Sequence, residues 1–192
     1  MGLPVTVNIK VQSAVFIDRD GVINKKMPEG DYVKDWSEFS FLPGVFEGLR
    51  ILKDKGFLLI VVTNQRCIAR GIITEEKLKE IHKLMINEME KNRTGVNAIY
   101  HCPHENNEKC DCRKPEPGMI LRAANDFMSK GIQIDMEKSY MIGDSEKDIL
   151  AGKAVKLRTI LIGETSDHAD GLKRSLLDAA KSITGLGGKN DN

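Results

Sequence analysis

The sequence lacks a long apolar run and a recognisable export signal. Its longest apolar stretch, Phe57 to Val62, is far too short to cross a membrane. The first residues, Met1 to Pro4, have neither the basic region nor the apolar segment of a secretory signal. We therefore expect a cytoplasmic protein that does not bind a membrane.

The sequence also lacks an excess of either charge. It has 29 basic and 28 acidic side chains, which give a formal net charge of +1. Such a chain has no overall field to attract nucleic acid or an anionic surface, and its 5% aromatic content forms no aromatic and basic face. We expect no nucleic-acid partner, and any anionic ligand must be held by local charges.

Cysteine is scarce, and three of the four cysteines are clustered. Cys102, Cys110 and Cys112 are close in sequence to His104, whereas Cys67 stands alone. The cluster forms two pairs, Cys-Pro-His and Cys-Asp-Cys, which argues for metal binding rather than a disulfide framework. Three thiolates and an imidazole are a closed tetrahedral set for a structural Zn²⁺ ion. The other histidines are expected to be ordinary residues: His82, His101 and His168.

The organisation of the chain predicts one α/β domain. No internal repeat or linker interrupts the 192 residues, and we expect a lead-in at 1–13, a single domain at 14–184 and a flexible tail at 185–192. Apolar runs alternate with helical periodicity, which predicts a doubly wound, mostly parallel sheet. Strands are predicted at 15–17, 57–64, 98–101, 139–142 and 158–162, with weaker ones at 5–11 and 171–174. Helices are predicted from Pro43 to Gly56, from Thr74 onward, and at 117–128, 149–153 and 176–183.

The segment that organises the rest is the first buried strand and its polar end. Val15-Phe16-Ile17 runs directly into Asp18-Arg19-Asp20-Gly21. Ligands bind at the carboxyl ends of strands in open α/β sheets, so both carboxylates are expected to face one site. The alternative is a surface turn rich in Asp and Gly, but such a turn would not need the preceding apolar run.

Two later strands end in matching polar residues. Thr63 and Asn64 follow the second strand, and Asp144 follows the fourth. Mg²⁺ prefers oxygen ligands, so carboxylates at neighbouring strand ends are suitable donors for a divalent cation.

These segments resemble the motifs of the haloacid-dehalogenase (HAD) phosphohydrolases, whose Rossmann-like fold we therefore expect, here with a small zinc-bound loop. The resemblance implies that Asp18 attacks phosphorus and that Asp20 is the general acid and base. It also implies that Thr63 donates its hydroxyl to the phosphoryl group and that Asp18, Asp144 and the backbone carbonyl of Asp20 hold Mg²⁺. Asp148 is then expected to support these ligands without binding the ion. Phosphoryl transfer requires a fixed cation, and we assign Lys114 to it.

Four segments together resemble the family of D-glycero-D-manno-heptose 1,7-bisphosphate 7-phosphatases, within the subfamily related to histidinol-phosphate phosphatase. The resemblance covers residues 14–183. Its first two segments are Asp-Arg-Asp-Gly-Val-Ile-Asn from position 18, and Thr-Asn-Gln with Ile-Ala-Arg-Gly between positions 63 and 71. The other two are Cys-Pro-His through Cys-Asp-Cys-Arg-Lys-Pro-x-Pro-Gly-Met from 102 to 119, and Tyr-Met-Ile-Gly-Asp at 140–144.

The resemblance implies removal of the 7-phosphate through an aspartyl-phosphate, on the way to a nucleotide-activated heptose. The partner is then a small phosphorylated sugar, and we expect a monomer. Arg113 is free for a second anionic group, and the full set of implied substrate-binding residues is Arg19, Glu29, Gly30, Asp31, Tyr32, Asn64, Gln65, Arg66, Arg113 and Ser145.

Three departures from the family pattern leave the substrate open. Arg66-Cys67 stands where Ser-Gly is usual, Ser145 stands where Lys is usual, and the 25–30 loop looks longer. Histidinol phosphate or another sugar phosphate is the alternative substrate.

Two other functional classes are considered. The complete set of acids and cations argues against a zinc-organised interaction protein, and the neutral net charge argues against a phosphatase of nucleic-acid ends. Residues 25–41 are either a flap over the site or an ordinary packed connection.

Overall fold

The structure, a computed structural model, describes residues 9–186. Its strands are β1 (Lys10–Gln12), β2 (Ala14–Ile17), β3 (Leu58–Asn64), β4 (Ala98–Cys102), β5 (Ile132–Ile134), β6 (Tyr140–Gly143), β7 (Arg158–Ile162) and β8 (Gly171–Lys173). Its α-helices are α1 (Val45–Asp54), α2 (Glu75–Lys91), α3 (Gly118–Met128), α4 (Glu146–Ala154) and α5 (Leu176–Thr184). Short 3-10 helices lie at Trp36–Glu38 and Met136–Lys138.

The main sheet is parallel and has the order β4-β3-β2-β6-β7-β8. The chain moves outward from β2 to β3 and β4 and then returns to place β6 on the other side of β2, where Ile17 is in register with Val61 and Ile142. This reversal beside β2 is the point at which open α/β sheets bind ligands. The predicted doubly wound parallel sheet is confirmed.

A second, two-stranded sheet pairs β1 with β5 in parallel. The sequence analysis did not predict β5, because three residues after Gly131 carry too little periodicity. Of the weak strand predicted at 5–11, the described part is seen from Lys10 onward, and residues 1–8 lie outside the described residues. The tail predicted at 185–192 lies outside them from residue 187.

The core occupies both faces of the sheet. Along β2, Val15 and Ile17 face the side covered by α1, α2 and α5, whereas Ala14 and Phe16 face α3 and α4. All four side chains are fully buried, so β2 is an interior strand of the sheet that is covered on both faces. Burial on both faces explains why its sequence is a continuous apolar run rather than an alternating one.

Two helix starts differ from the prediction. Pro43 was expected in the first turn of α1, but the helix begins at Val45, because Gly44 adopts a left-handed conformation with φ of 77° and caps it. The helix predicted at 149–153 begins earlier, at Glu146, because the Asp148 carboxylate accepts from the backbone N–H and the hydroxyl of Ser145. The predicted cap at Thr74 is found, since its hydroxyl accepts from Lys77 N at 3.2 Å.

Residues 25–41 combine the two alternatives considered for them. The first half, from Lys26 to Val33, lines the cavity at the sheet edge. In the second half the Trp36 and Phe39 rings stack at 4.9 Å and pack against the core. Within residues 9–186, no helix has the length and hydropathy needed to cross a membrane.

Candidate active site

A cavity of about 620 Å³ lies at the carboxyl ends of β2, β3 and β6. Its floor contains Asp18, Thr63 and Asp144, which the sheet brings together from positions far apart in the chain. The other predicted site residues on its wall are Arg19, Asp20, Glu29, Gly30, Asp31, Tyr32, Asn64, Arg66, Arg113, Lys114 and Ser145. Gln65 is the predicted substrate residue that does not line it; its side chain is buried behind the wall.

Lys114 is buried between two carboxylates. Its Nζ lies 2.7 Å from Asp18 Oδ1 and 2.5 Å from Asp148 Oδ1, and it donates to the Val62 carbonyl at 2.7 Å. Burial opposes a charge on Lys114, but the two carboxylates outweigh it and raise its pKa. Burial also raises the pKa of Asp18 to about 7, although Lys114 acts in the opposite direction.

Asp20 has a different environment, built from hydrogen-bond donors. Arg19 reaches its two oxygens with Nη2 at 3.0 and 2.9 Å, Asn24 Nδ2 donates at 2.9 Å and Gln65 Nε2 at 2.8 Å. Burial alone would raise the pKa of Asp20, but Arg19 and the two amides hold it below its ordinary value. Asp18 and Asp20 therefore have pKa values shifted in opposite directions, because burial dominates at Asp18 whereas hydrogen-bond donors surround Asp20.

The polar residues after β3 support their neighbours. Thr63 Oγ1 accepts from Gln65 Nε2 at 2.9 Å. Asn64 Oδ1 accepts from Lys114 N and Asn64 Nδ2 donates to Lys114 O, both at 3.1 Å. This pair of hydrogen bonds ties the segment that carries Lys114 to the end of β3.

Asp144 lies against the backbone of Gly21, where a Cβ would be 2.3 Å from Asp144 Oδ2. Carboxylate oxygens of Asp18, Asp144 and Asp148 all fall within 4.8 Å of one another. Both oxygens of Asp148 are in contact with Lys114 or Ser145, whereas Asp18 and Asp144 each have only one oxygen in an ion pair, with Lys114 and Lys26. Asp18 and Asp144 are therefore the two carboxylates that can hold a cation. The oxygen-only donor set and the close packing against Gly21 fit Mg²⁺.

The cysteine and histidine cluster has the dimensions of a zinc site. Cys102 Sγ lies 3.8 Å from Cys110 Sγ, and His104 Nδ1 lies 3.4 Å from Cys102 Sγ and 3.2 Å from Cys112 Sγ. A tetrahedral ion with Zn–S bonds of about 2.3 Å would separate two sulfurs by about 3.8 Å. The four predicted ligands are thus brought together, and this cluster can hold a metal ion.

Besides Arg19, two arginines line the cavity wall. Arg113 follows the last cysteine, and it donates to Asn106 Oδ1 at 2.9 Å and to the His104 carbonyl at 3.3 Å. Arg66 Nε donates to the Tyr32 hydroxyl at 2.5 Å, and its Nη1 lies 3.7 Å from Glu105 Oε1. The hydrogen bonds of Arg113 attach it to the loop around the cysteine cluster.

The sequence analysis missed several residues of this region. Lys26 Nζ lies 2.6 Å from Asp144 Oδ2, and Asn24 and Asn106 contact Asp20 and Arg113 as described above. His82, expected to be ordinary, is buried and lies 3.1 Å from Arg19 Nη1. Of these missed residues, His82 had a signal in the sequence, because it interrupts the apolar face of α2 between Leu78 and Met85.

Comparisons with known proteins place the chain in a family. The HAD-hydrolase-like family model matches residues 111–182. The D-glycero-beta-D-manno-heptose-1,7-bisphosphate 7-phosphatase of Pasteurella multocida is 36% identical over 190 residues, covering 92% of this chain and 99% of that protein. The chain belongs to the family of heptose-bisphosphate phosphatases. The corresponding protein of Escherichia coli K12 is 37% identical over 185 residues, covering 88% of this chain and 93% of its own length.

A solved structure of the same family has the same fold. The D,D-heptose 1,7-bisphosphate phosphatase of B. bronchiseptica, crystallised with magnesium and phosphate, superimposes with a TM-score of 0.79 at 26% identity, over 93% of this chain and all of that one. This member of the heptose-bisphosphate phosphatase family is therefore a HAD-like phosphoric monoester hydrolase, as the sequence predicted.

Proposed function

We propose that this enzyme removes the 7-phosphate of D-glycero-D-manno-heptose 1,7-bisphosphate. The observation that carries the proposal is a cavity lined by the reacting carboxylates, by Lys114 and by two arginines from other segments, Arg66 and Arg113. Among the other lining cations, Arg19 and Lys26 are paired with Asp20 and Asp144. A sugar with two phosphates needs cations for both groups, whereas a monophosphate needs only those at the reacting carboxylates. The names of the relatives support the same substrate. The product would keep the anomeric phosphate that nucleotide activation of heptose uses.

In the first step Asp18 acts as nucleophile. Its carboxylate oxygen forms a bond to phosphorus, the bond from phosphorus to the sugar oxygen breaks, and that oxygen takes a proton from Asp20. Asp18 Oδ1 is held by Lys114, and within residues 9–186 Oδ2 has no hydrogen-bond donor, which leaves it free to attack. Lys114 neutralises charge on the transferring group, and Thr63 donates a hydrogen bond to it.

In the second step Asp20 acts as base. It removes a proton from water, the water oxygen bonds to phosphorus, and the bond to Asp18 breaks to release inorganic phosphate. The contacts of Asp20 with Arg19 and Asn24 favour its carboxylate form, which suits this step. The first step requires Asp20 in its protonated form, which delivers the proton to the departing sugar oxygen.

The metals have separate roles in this proposal. Asp18, Asp144 and the Asp20 carbonyl would hold Mg²⁺, which supplies charge neutralisation for the phosphoryl group when bound. Cys102, His104, Cys110 and Cys112 would hold a structural Zn²⁺ that fixes the loop carrying Arg113.

A comparison of three substrates tests the function. Purified enzyme with Mg²⁺ should hydrolyse heptose 1,7-bisphosphate with a higher kcat/KM than histidinol phosphate or p-nitrophenyl phosphate. Arg113→Ala should lower kcat/KM for the bisphosphate and spare the aryl phosphate, because binding energy from a remote phosphate is available only in the bisphosphate. Lys109→Ala, an exposed cation on the same loop, is the control. Equal losses on both substrates would assign Arg113 to the reacting centre and make a monophosphate the better substrate.

A further inference from the structure

A buried chain of polar side chains extends behind Asp20, away from the cavity. Arg19 is 1% exposed, and its guanidinium contacts Asp20 on one side and His82 Nε2 at 3.1 Å on the other. His82 is 7% exposed and comes from α2, which otherwise packs with apolar residues on this face. A polar side chain buried in such a position destabilises the fold unless it forms a hydrogen bond.

The direction of the contact between His82 and Arg19 follows from chemistry. A guanidinium has donors and no acceptor, so His82 Nε2 must accept and its ring must be neutral with the proton on Nδ1. The other charged and titratable groups near His82 are Asp20 and His101, and His101 Nε2 lies 2.9 Å from Glu75 Oε1. His82 is thus the acceptor on the side of the guanidinium that faces away from Asp20.

From this geometry we infer that His82 is a positioning residue for the reaction: by accepting from Arg19 Nη1, it fixes the guanidinium in the orientation that aligns the Asp20 carboxyl. Gln65 completes the arrangement, because Oε1 accepts from Arg19 at 3.2 Å while Nε2 donates to Asp20. Without an acceptor at position 82, Nη1 would be buried and unsatisfied, and the guanidinium would turn toward another acceptor. Asp20 would then lose its two-oxygen contact with Arg19. This inference rests on the proposed role of Asp20 as general acid.

The test uses the dependence of the general acid on the leaving group. An alkyl phosphate requires protonation of the departing oxygen, whereas p-nitrophenolate leaves without it, and kcat/KM reports the steps up to this departure. We expect His82→Leu to lower kcat/KM for heptose 1,7-bisphosphate about tenfold more than for p-nitrophenyl phosphate, the scale of one hydrogen bond to a charged group. His82→Gln should keep the kcat/KM for heptose 1,7-bisphosphate near that of wild type, because Gln can place an oxygen where Nε2 lies. His168→Leu, the same substitution at an exposed histidine, is the control.

The alternative is that His82 only fills space, and it predicts different results. Equal losses on both substrates, or no rescue by Gln, would overturn the inference. If His82→Leu does not fold, His82→Asn replaces it: the Asn amide is one bond too short to reach Arg19, so Asn should lose the selectivity that Gln keeps. Equal selectivity in Asn and Gln would again overturn the positioning role.

Failure of the proposed function is recognised separately. Asp20→Asn should also cost far more on the alkyl phosphate than on the aryl phosphate, by roughly 10²–10⁴ for loss of a general acid. If it does so but His82→Leu does not, only the positioning role fails. If Asp20→Asn affects both substrates equally, the acid role and the inference fail together. If the enzyme does not hydrolyse heptose bisphosphate, the substrate proposal fails and the His82 comparison is made with histidinol phosphate.

Discussion

Lys114 and Asp148 form a buried ion pair, with Lys114 Nζ 2.5 Å from Asp148 Oδ1 and neither side chain more than 3% exposed. The same ammonium contacts Asp18, so Asp148 holds the cation from behind while its front faces the nucleophile. The Asp148 carboxylate also accepts from Ser145 at the start of α4. Asp148 thus joins the position of the cation to that of the helix that follows Asp144.

Asp148→Asn should weaken both the ion pair and the helix start. We expect the free energy of unfolding to fall by about 3 kcal/mol, the low end for breaking a buried pair, because Lys114 keeps Asp18 as a partner. Activity should fall on every substrate, since Lys114 is no longer held from behind. Urea denaturation gives the stability change, and Asp54→Asn, at an exposed acid on α1, should stay within about 0.5 kcal/mol of wild type. Unchanged stability of Asp148→Asn would argue against the pair.

Gly21→Ala should disable the site without unfolding the protein. The added Cβ would lie 2.3 Å from Asp144 Oδ2, so Asp144 must leave its present position. We expect a loss of kcat/KM of about 100-fold, the scale of a misplaced group, together with weaker Mg²⁺ binding in a calorimetric titration. Gly56→Ala is a matched control, because Gly56 has a similar φ of +88° and no neighbour within 4 Å of its Cβ. Normal Mg²⁺ affinity in Gly21→Ala would contradict the assignment of Asp144.

Cys110→Ser should remove the zinc. A thiolate ligand is lost from a site that, if it resembles zinc-finger peptides, contributes roughly 10–16 kcal/mol of binding free energy. Metal analysis should find one zinc per chain in wild type and in Cys67→Ala, and little in Cys110→Ser. Hydrolysis of an aryl phosphate should persist while that of the bisphosphate falls, because Arg113 depends on this loop. Wild-type protein without zinc, prepared without chelators, would refute the site.

His82 should make stability depend on pH. Burial and the nearby Arg19 lower its pKa from 6.5 to about 3, so the unfolded chain binds a proton that the folded protein does not. The stability that the neutral His82 contributes to the folded state is present above pH 6.5 and is lost as the pH falls toward 3. The free energy of unfolding should fall by about 2 kcal/mol between pH 6.5 and pH 5 for this reason. The difference in unfolding free energy between wild type and His82→Gln, measured by urea denaturation at pH 7 and pH 5, should change by that amount. Parallel pH profiles would show that His82 titrates normally.

Local patterns in the sequence were enough for most of the fold and for several residues that line the cavity. The apolar run before Asp18 predicted β2 and its polar end, because a strand buried on both faces has to be apolar throughout. The spacing of Cys102, His104, Cys110 and Cys112 predicted the cluster, because ligands that come in close pairs need little help from the rest of the chain. The roles of Asp18, Asp20 and Lys114 came from the resemblance to HAD phosphatases and stay predictions.

Other features were decided by the tertiary structure alone. Three residues of β5 form a strand because Lys10–Gln12 lies beside them, and nothing local encodes that partner. Helix α1 begins after Pro43 because Gly44 adopts a left-handed conformation and is the N-cap residue. Most of all, the sequence could list carboxylates and cations, but it did not show which of them meet, and it assigned His82 no role. The placement of Lys114 between Asp18 and Asp148, and of His82 against Arg19, depends on how β2, β3 and β6 and their connections pack. That packing joins segments far apart in the chain.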